Sequence, residues 1–380
     1  MLVLALLGCT SPAPDPGGPV LDLHVHCPPD QPVCDPTSLT QALDGRVTAA
    51  GLGLAHYAIA TPLGDVIPDE LAALPDNNEV LQAATETTDQ LLLLPSLECL
   101  RDTPGNDPGF TAACLDDADR WLALGARGFK DHAGKTFEGD GFDVGRWVGA
   151  WNRYAGFCTT SGSDTPNLDC LTDQQPVFPL EHPAYRDVIR GVVEDREAVW
   201  LTHATPWSGS DELCGTADGP RRCHDVAADV LVDFARWAEQ TMSLEARRRI
   251  VLAHLGFLQD DEVRLTAVLD AGLTVDLAQT AIAEAGCGVR RLVAAYPDQV
   301  VLGTDLMLGP DCITAHYEPW LHALLGPADT RARFRGTCRG TLEPAGAALN
   351  DPDAANCGVA VPADAGRRVL YDNAAVLLGL

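Results

Sequence analysis

The chain is 380 residues long with 46% hydrophobic residues, enough for a large core in one big α/β barrel or in two ordinary domains. Its 54 acidic residues against 26 basic ones give a formal charge of -28, which excludes nucleic acid and anionic membrane surfaces as natural partners. Thirteen cysteines, none of them in a C-x-x-C pair, argue against a zinc ribbon or a dithiol redox motif and for an oxidising compartment.

The first segment, residues 1–9 (MLVLALLGC), is a short apolar run ending in Leu-Leu-Gly-Cys, similar to the lipobox of bacterial lipoproteins, with Cys9 as the lipidation site. Residues 10–19 (TSPAPDPGGP, then Val20) are a Pro/Gly-rich tether that cannot fold. The expected location is therefore the cell envelope, lipid-anchored or periplasmic/extracellular, with the membrane contacted only through the lipid. Removing Cys9 leaves twelve cysteines, an even number that suits six disulfides.

From residue 20 to 380 short apolar runs alternate with segments of helical periodicity, the pattern of repeated βα units around a parallel sheet. Eight strands are expected: 20–26 (VLDLHVH), 52–60 (LGLAHYAIA), 91–98 (LLLLPSLE), 126–132 (ARGFKDH), 198–204 (AVWLTHA), 249–256 (RIVLAHLG), 273–279 (LTVDLAQ) and 299–306 (QVVLGTDL). Helices are expected in 110–125, 183–197, 226–240 and 261–272, and a final helix closes the chain. The fold class is α/β, a single (β/α)8 TIM barrel with a large insertion after strand four, about 133–181, and a loop-rich excursion over 327–363. Pairing the cysteines as neighbours gives Cys27–Cys34, Cys99–Cys114, Cys158–Cys170, Cys214–Cys223, Cys287–Cys312 and Cys338–Cys357. Most of these bridges would stiffen βα loops on the face where barrels carry their active sites.

Strand ends supply the chemistry. In an extended first strand Asp22, His24 and His26 share one face, and two imidazoles on one face are a metal-ligand geometry. Lys130 lies near the end of strand four, His203 ends strand five, His254 strand six and Asp305 strand eight, so all converge on one rim. The chain has only two lysines, Lys130 and Lys135, both beside strand four, against 24 arginines; a lysine kept there points to a role arginine cannot fill. His132 shares the strand face of Lys130 and competes as a ligand or substrate contact. His56 reads as structural within strand two, His182 and His224 as exposed caps at helix starts, and His316 and His322 as helix-surface residues. Trp147, Trp151 and Trp207 fall in segments expected at the barrel mouth, where they line a pocket or simply pack.

The set LDLHVH, GARGFKDH, VWLTHAT, IVLAHLG and VVLGTDLM, closed by VLYDNAAVLLGL, resembles the amidohydrolase superfamily, in particular amidohydrolase family 2. The resemblance implies a metal-dependent hydrolase acting on a small-molecule amide, ester or lactone through metal-activated water. His24, His26 and His203 look like metal ligands of this family. His254 looks like its strand-six histidine, which binds a second metal or contacts substrate or water. Asp305 looks like the aspartate that touches the metal and moves the proton, making Asp305 and His254 the catalytic pair. The cofactor is a divalent metal, zinc above others, as one or two ions. Some superfamily members carboxylate the strand-four lysine to bridge two metals, so Lys130 is read as a carbamate ligand, a substrate-facing ammonium or an ion-pair partner. The alternatives are a non-oxidative decarboxylase of the same superfamily and a non-catalytic envelope binding protein.

Overall fold

The structure is a computed structural model that describes residues 15–26, 46–53, 77–86, 88–102, 107–131, 179–205, 213–214, 216, 218–278, 287–307, 317, 321, 324–325 and 361–380. Among the described residues, eight short parallel strands follow in chain order: β1 (Val20–His26), β2 (Val47–Gly53), β3 (Leu91–Leu94), β4 (Gly128–Asp131), β5 (Val199–Thr202), β6 (Ile250–Leu252), β7 (Thr274–Asp276) and β8 (Val300–Val301), besides a small hairpin and the Leu306–Met307 piece. Every pair among the eight is parallel, in the runs β1-β2-β3 and β4-β5-β6-β7-β8. Two seams close these runs into a ring. At the first, Arg127 N–H donates to the Leu93 carbonyl and Lys130 N–H to the Pro95 carbonyl, both at 3.0 Å. At the second, Leu23 N–H donates to the Leu302 carbonyl at 2.9 Å and Asp305 N–H to the His24 carbonyl at 2.8 Å. An eight-stranded parallel barrel is thus explicit in the hydrogen bonding, as the alternation of apolar runs and helical segments predicts.

Two apolar clusters follow from strand alternation. Leu21, Leu23, Ala49, Leu94, Val199, Leu201, Val251, Ala253 and Val301 come from six different strands and the ends that continue them, so they fill the barrel interior; Ala374, Ala375 and Leu378 of the C-terminal helix complete the cluster. Val20, Val25, Leu93, Phe129, Trp200, Ile250, Leu252, Val275 and Val300 take the other face and meet the helices. These helices include α1 (Asn77–Thr85), α2 (Phe110–Ala123), α3 (Pro183–Arg190), α4 (Cys223–Thr241), α5 (Glu262–Asp270) and α6 (Cys287–Ala295). Among the described residues no helix is long and apolar enough to cross a membrane.

Three details depart from the sequence-based expectation. Strand two starts at Val47, five residues ahead of the expected 52, and is seen over Val47–Gly53; residues 54–60 lie outside the described residues. Its VTAAGLG is poor in large apolar residues because the strand is squeezed: a Cβ on Gly51 would come 2.4 Å from the Leu23 carbonyl oxygen and 2.8 Å from Leu94 Cδ1. Strand eight is interrupted after Val301, and Leu306–Met307 pairs with β1 as a separate piece. Finally, β1 is irregular: Asp22 stands opposite Ala50 but Val25 opposite Leu52, so three steps on β1 span two on β2. This bulge breaks the alternation and separates Asp22 from the face of His24 and His26.

One expected bridge is seen complete: Cys99 and Cys114 are joined by a disulfide that ties the segment after β3 to α2. Cys223 is also disulfide-bonded, and the small hairpin ahead of it sets Cys214 opposite Arg221. The insertion after strand four lies almost wholly outside the described residues, as do residues 1–14, most of 327–363, and the expected pairs Cys27–Cys34, Cys158–Cys170 and Cys338–Cys357. Cys312 of the expected pair with Cys287 lies outside them too.

Candidate metal centre

The β1 bulge is what builds the centre. With one extra residue between Asp22 and Val25, Leu23 packs inside the barrel and the buried His24 also turns its ring inward, followed after Val25 by His26. The displaced Asp22 works at the β1–β8 seam: its carboxylate accepts from His24 N–H, Thr304 N–H, the Thr304 hydroxyl and the Tyr317 hydroxyl. Burial nevertheless drives Asp22 up to about 7, with those four donors opposing.

Imidazoles from three strand ends meet one carboxylate. His24 Nε2 lies 2.9 Å from His26 Nε2, and His203 Nε2 lies 3.1 Å from His254 Nε2. Asp305 Oδ1 stands 2.8 Å from His26 Nε2 and 3.4 Å from His24 Nε2, and its Oδ2 stands 3.6 Å from His254 Nε2. Ligand atoms of His24, His203, His254 and Asp305 all lie within 4.8 Å of one another. A tetrahedral zinc with bonds of about 2.0–2.1 Å would hold its ligands roughly 3.3 Å apart, so the set fits such an ion. His26 flanks this set through its contacts with His24 and Asp305.

Protonation favours the same use. Burial lowers the His254 imidazole to about 3 against the pull of Asp305 and Asp276, so at neutral pH it offers a lone pair. Burial works against the Asp305 carboxylate, but His254, the hydrogen bond from His26 and His24 hold it well below the usual carboxylate range. Asp305 is also the accessible member, with 21% of its side chain exposed against 0% for His24.

Behind the ring atoms stands Asp276, at the end of β7, a strand end that is not among the candidate sites of the sequence. Its Oδ2 lies 2.7 Å from His24 Nδ1, and its Oδ1 accepts the backbone N–H groups of His254 at 2.6 Å and Ala278 at 3.1 Å. A carboxylate accepting at Nδ1 puts the proton there and leaves His24 Nε2 a bare donor aimed at the centre. Burial raises Asp276, with the Lys130 charge and the backbone N–H groups of His254 and Ala278 opposing. The sequence did hold a signal: an aspartate inside the apolar run LTVDLAQ, at the strand end equivalent to those of the other candidates.

His254 reaches the centre from an unusual backbone. His254, Leu255, Gly256 and Phe257 have φ of 53°, 57°, 64° and 53°, a left-handed turn that costs about 1–2 kcal/mol for each non-glycine residue. Asp305 shares this region, with φ 57°. Such strain persists only where the surroundings hold it. Here Asp276 takes the His254 N–H, the buried Thr205 hydroxyl donates to the Gly256 carbonyl at 2.5 Å, and His224 Nε2 lies 2.9 Å from the Phe257 carbonyl.

The remaining candidates fall as follows. Lys130 is fully buried on β4, and its charge acts on both His254 and Asp276. Its neighbour Asp131 accepts from the Tyr185 and Thr202 hydroxyls on the helix side. His182 caps α3, accepting from Ala184 N–H at 3.3 Å. His224 is not the exposed cap expected of it: it is buried within the first turn of α4, because its ring is used against the Phe257 carbonyl. His56, His132, His316, His322, Lys135, Trp147, Trp151, Trp207 and Cys9 lie outside the described residues.

No protein-family profile matches this chain, and no curated protein matches it. Among solved structures it is similar to a probable 2-pyrone-4,6-dicarboxylic acid hydrolase from Acinetobacter baumannii, crystallised with citric acid bound. That similarity has 12% identity and a TM-score of 0.45 over 95% of this chain and 99% of that one. It is also similar to an uncharacterized TIM-barrel protein from Bordetella bronchiseptica, with 12% identity and a TM-score of 0.43 over 95% and 98% of the two chains.

Proposed function

We propose that the chain is a metal-dependent hydrolase of the amidohydrolase type, acting on an amide, ester or lactone bond of a small molecule. The observation that carries this reading is the set His24, His203, His254 and Asp305, whose ligand atoms lie within 4.8 Å of one another inside a parallel barrel. When bound there, a divalent ion such as zinc supplies an acidified water near neutral pH and a Lewis acid for the carbonyl. Neutral His254 offers a lone pair without first losing a proton, and Asp276 at Nδ1 turns His24 Nε2 toward the same point. Asp305, anionic and the accessible member of the set, is the group placed to take a proton from the attacking water and return it to the leaving group. His26, 2.8 Å from Asp305 Oδ1, orients that carboxylate. Four ligand atoms suit one ion; buried Lys130 beside His254 and Asp276 supports a second arrangement in which its carbamate helps hold two.

The proposal includes export. The lipobox-like segment ending at Cys9 and the Cys99–Cys114 disulfide support an envelope protein in an oxidising compartment.

Hydrolysis assays test the activity on a panel of 4-nitrophenyl esters, lactones and anilides, using full-length protein loaded with zinc. Turnover is expected to vanish on chelation, to return with zinc, and to fall by about 10²–10⁴-fold in Asp305→Asn, which removes the acid/base group. Turnover indifferent to both chelation and Asp305→Asn would overturn the reading.

A further inference from the structure

We propose that His224 is a positioning residue for His254, acting through Phe257. The His224 Nε2 donates to the Phe257 carbonyl at 2.9 Å, while Nδ1 stands 3.4 Å from Asp225 Oδ1. That carbonyl belongs to the last residue of the left-handed turn that begins at His254. The Phe257 ring in turn lies flat on the His254 imidazole, centroids 4.7 Å apart and planes 15° apart, and meets His203 edge-on at 6.1 Å. His203 and His254 are themselves edge-to-face at 4.5 Å. Fixing Phe257 therefore fixes the planes of two of the three imidazoles in the candidate centre.

The anchor is itself secured. His224 is buried in the first turn of the long α4, directly after the disulfide-bonded Cys223. At the other end of the turn Asp276 holds the His254 N–H, and between them Thr205 holds the Gly256 carbonyl. A turn of three non-glycine residues at positive φ has a more relaxed alternative at hand, so releasing its last carbonyl lets Phe257 leave the stack. The inference about ring placement stands on this geometry; its consequence for metal binding rests on the metal-centre reading above.

Two measurements on the full chain test it. The first is a crystal structure of metal-free His224→Leu beside metal-free wild type: the turn is expected to leave positive φ at Phe257 and the ring to slide off His254. An unchanged turn and stack would overturn the proposal. The second is zinc affinity by competition with a chromophoric chelator. His224→Leu should bind about 10–100-fold more weakly, and His224→Gln, whose amide can donate from the same place, should return most of the loss. Equal losses in the leucine and glutamine variants would reduce His224 to packing and overturn its role. If His224→Leu does not fold, Phe257→Leu decides, since it removes the stack but keeps the backbone bond; wild-type zinc affinity and an unaltered cobalt(II) absorption spectrum in that variant would overturn the relay. Absence of zinc binding in wild type would defeat the metal reading alone, and the crystal structures would still decide this inference.

Discussion

The carboxylate of Asp276 lies 2.7 Å from Nδ1 of His24, and with its other oxygen accepts the backbone N–H of His254. One side chain thus sets the tautomer of one candidate ligand and the position of another. Asp276→Asn offers an amide that can present N–H to Nδ1 and so drive the His24 proton onto Nε2, facing the ion. Zinc affinity should fall by about 10–100-fold, read by chelator competition, while the thermal unfolding of the metal-free protein shifts far less than its zinc-loaded counterpart.

Gly303 leaves Asp276 its room. A Cβ there would come 2.8 Å from Asp276 Oδ2 and 2.9 Å from its Cβ and Cγ. Gly303→Ala should destabilise the chain by about 1–3 kcal/mol through overpacking and weaken zinc binding by displacing the carboxylate. In an Asp276→Ala background the same substitution should cost much less, a coupling that a double-mutant cycle in urea measures directly.

Asp22 gives a pH signature with a definite sign. Its carboxyl is raised from 3.8 to about 7 in the folded chain, so between those values the folded state binds a proton that the unfolded state has released. The contribution is therefore present at low pH and is lost as pH rises through the window, by at most about 4 kcal/mol. Urea denaturation of wild type and Asp22→Asn at intervals from pH 4 to 8 should show wild type losing stability relative to the variant as pH rises. A gap that is constant, or that moves the other way, would contradict this account of the seam.

Much of this was legible in the sequence, and the failures have physical causes. Strand one was readable to the residue because VLDLHVH is apolar and bounded by Pro and Gly, yet strict alternation misplaced Asp22, since a bulge is a pairing irregularity and leaves no compositional trace. Strand two was displaced because close approach of β1 and β3 demands Ala and Gly where a pattern search favours large apolar residues. The convergence of His24, His203, His254 and Asp305 could be read from their common place at strand ends. Asp276 looked like one more residue of a buried strand, and His224 like a helix cap, because what each does depends on a partner distant in the chain: His24 for Asp276, and the Phe257 carbonyl for His224. The left-handed turn at His254–Phe257 was invisible because only one of its four residues is glycine.

The central claim is that His24, His203, His254 and Asp305 hold a metal ion, and anomalous diffraction at the zinc edge tests it most directly. Crystals of the full chain grown with zinc should show a strong anomalous peak about 2.0–2.1 Å from the ring nitrogens of the three histidines, with an Asp305 oxygen beside it and one position left open to water. The peak should vanish in His203→Ala crystals grown in the same way. A fully ordered set of side chains with no peak among them, in crystals soaked with excess zinc, would contradict the account.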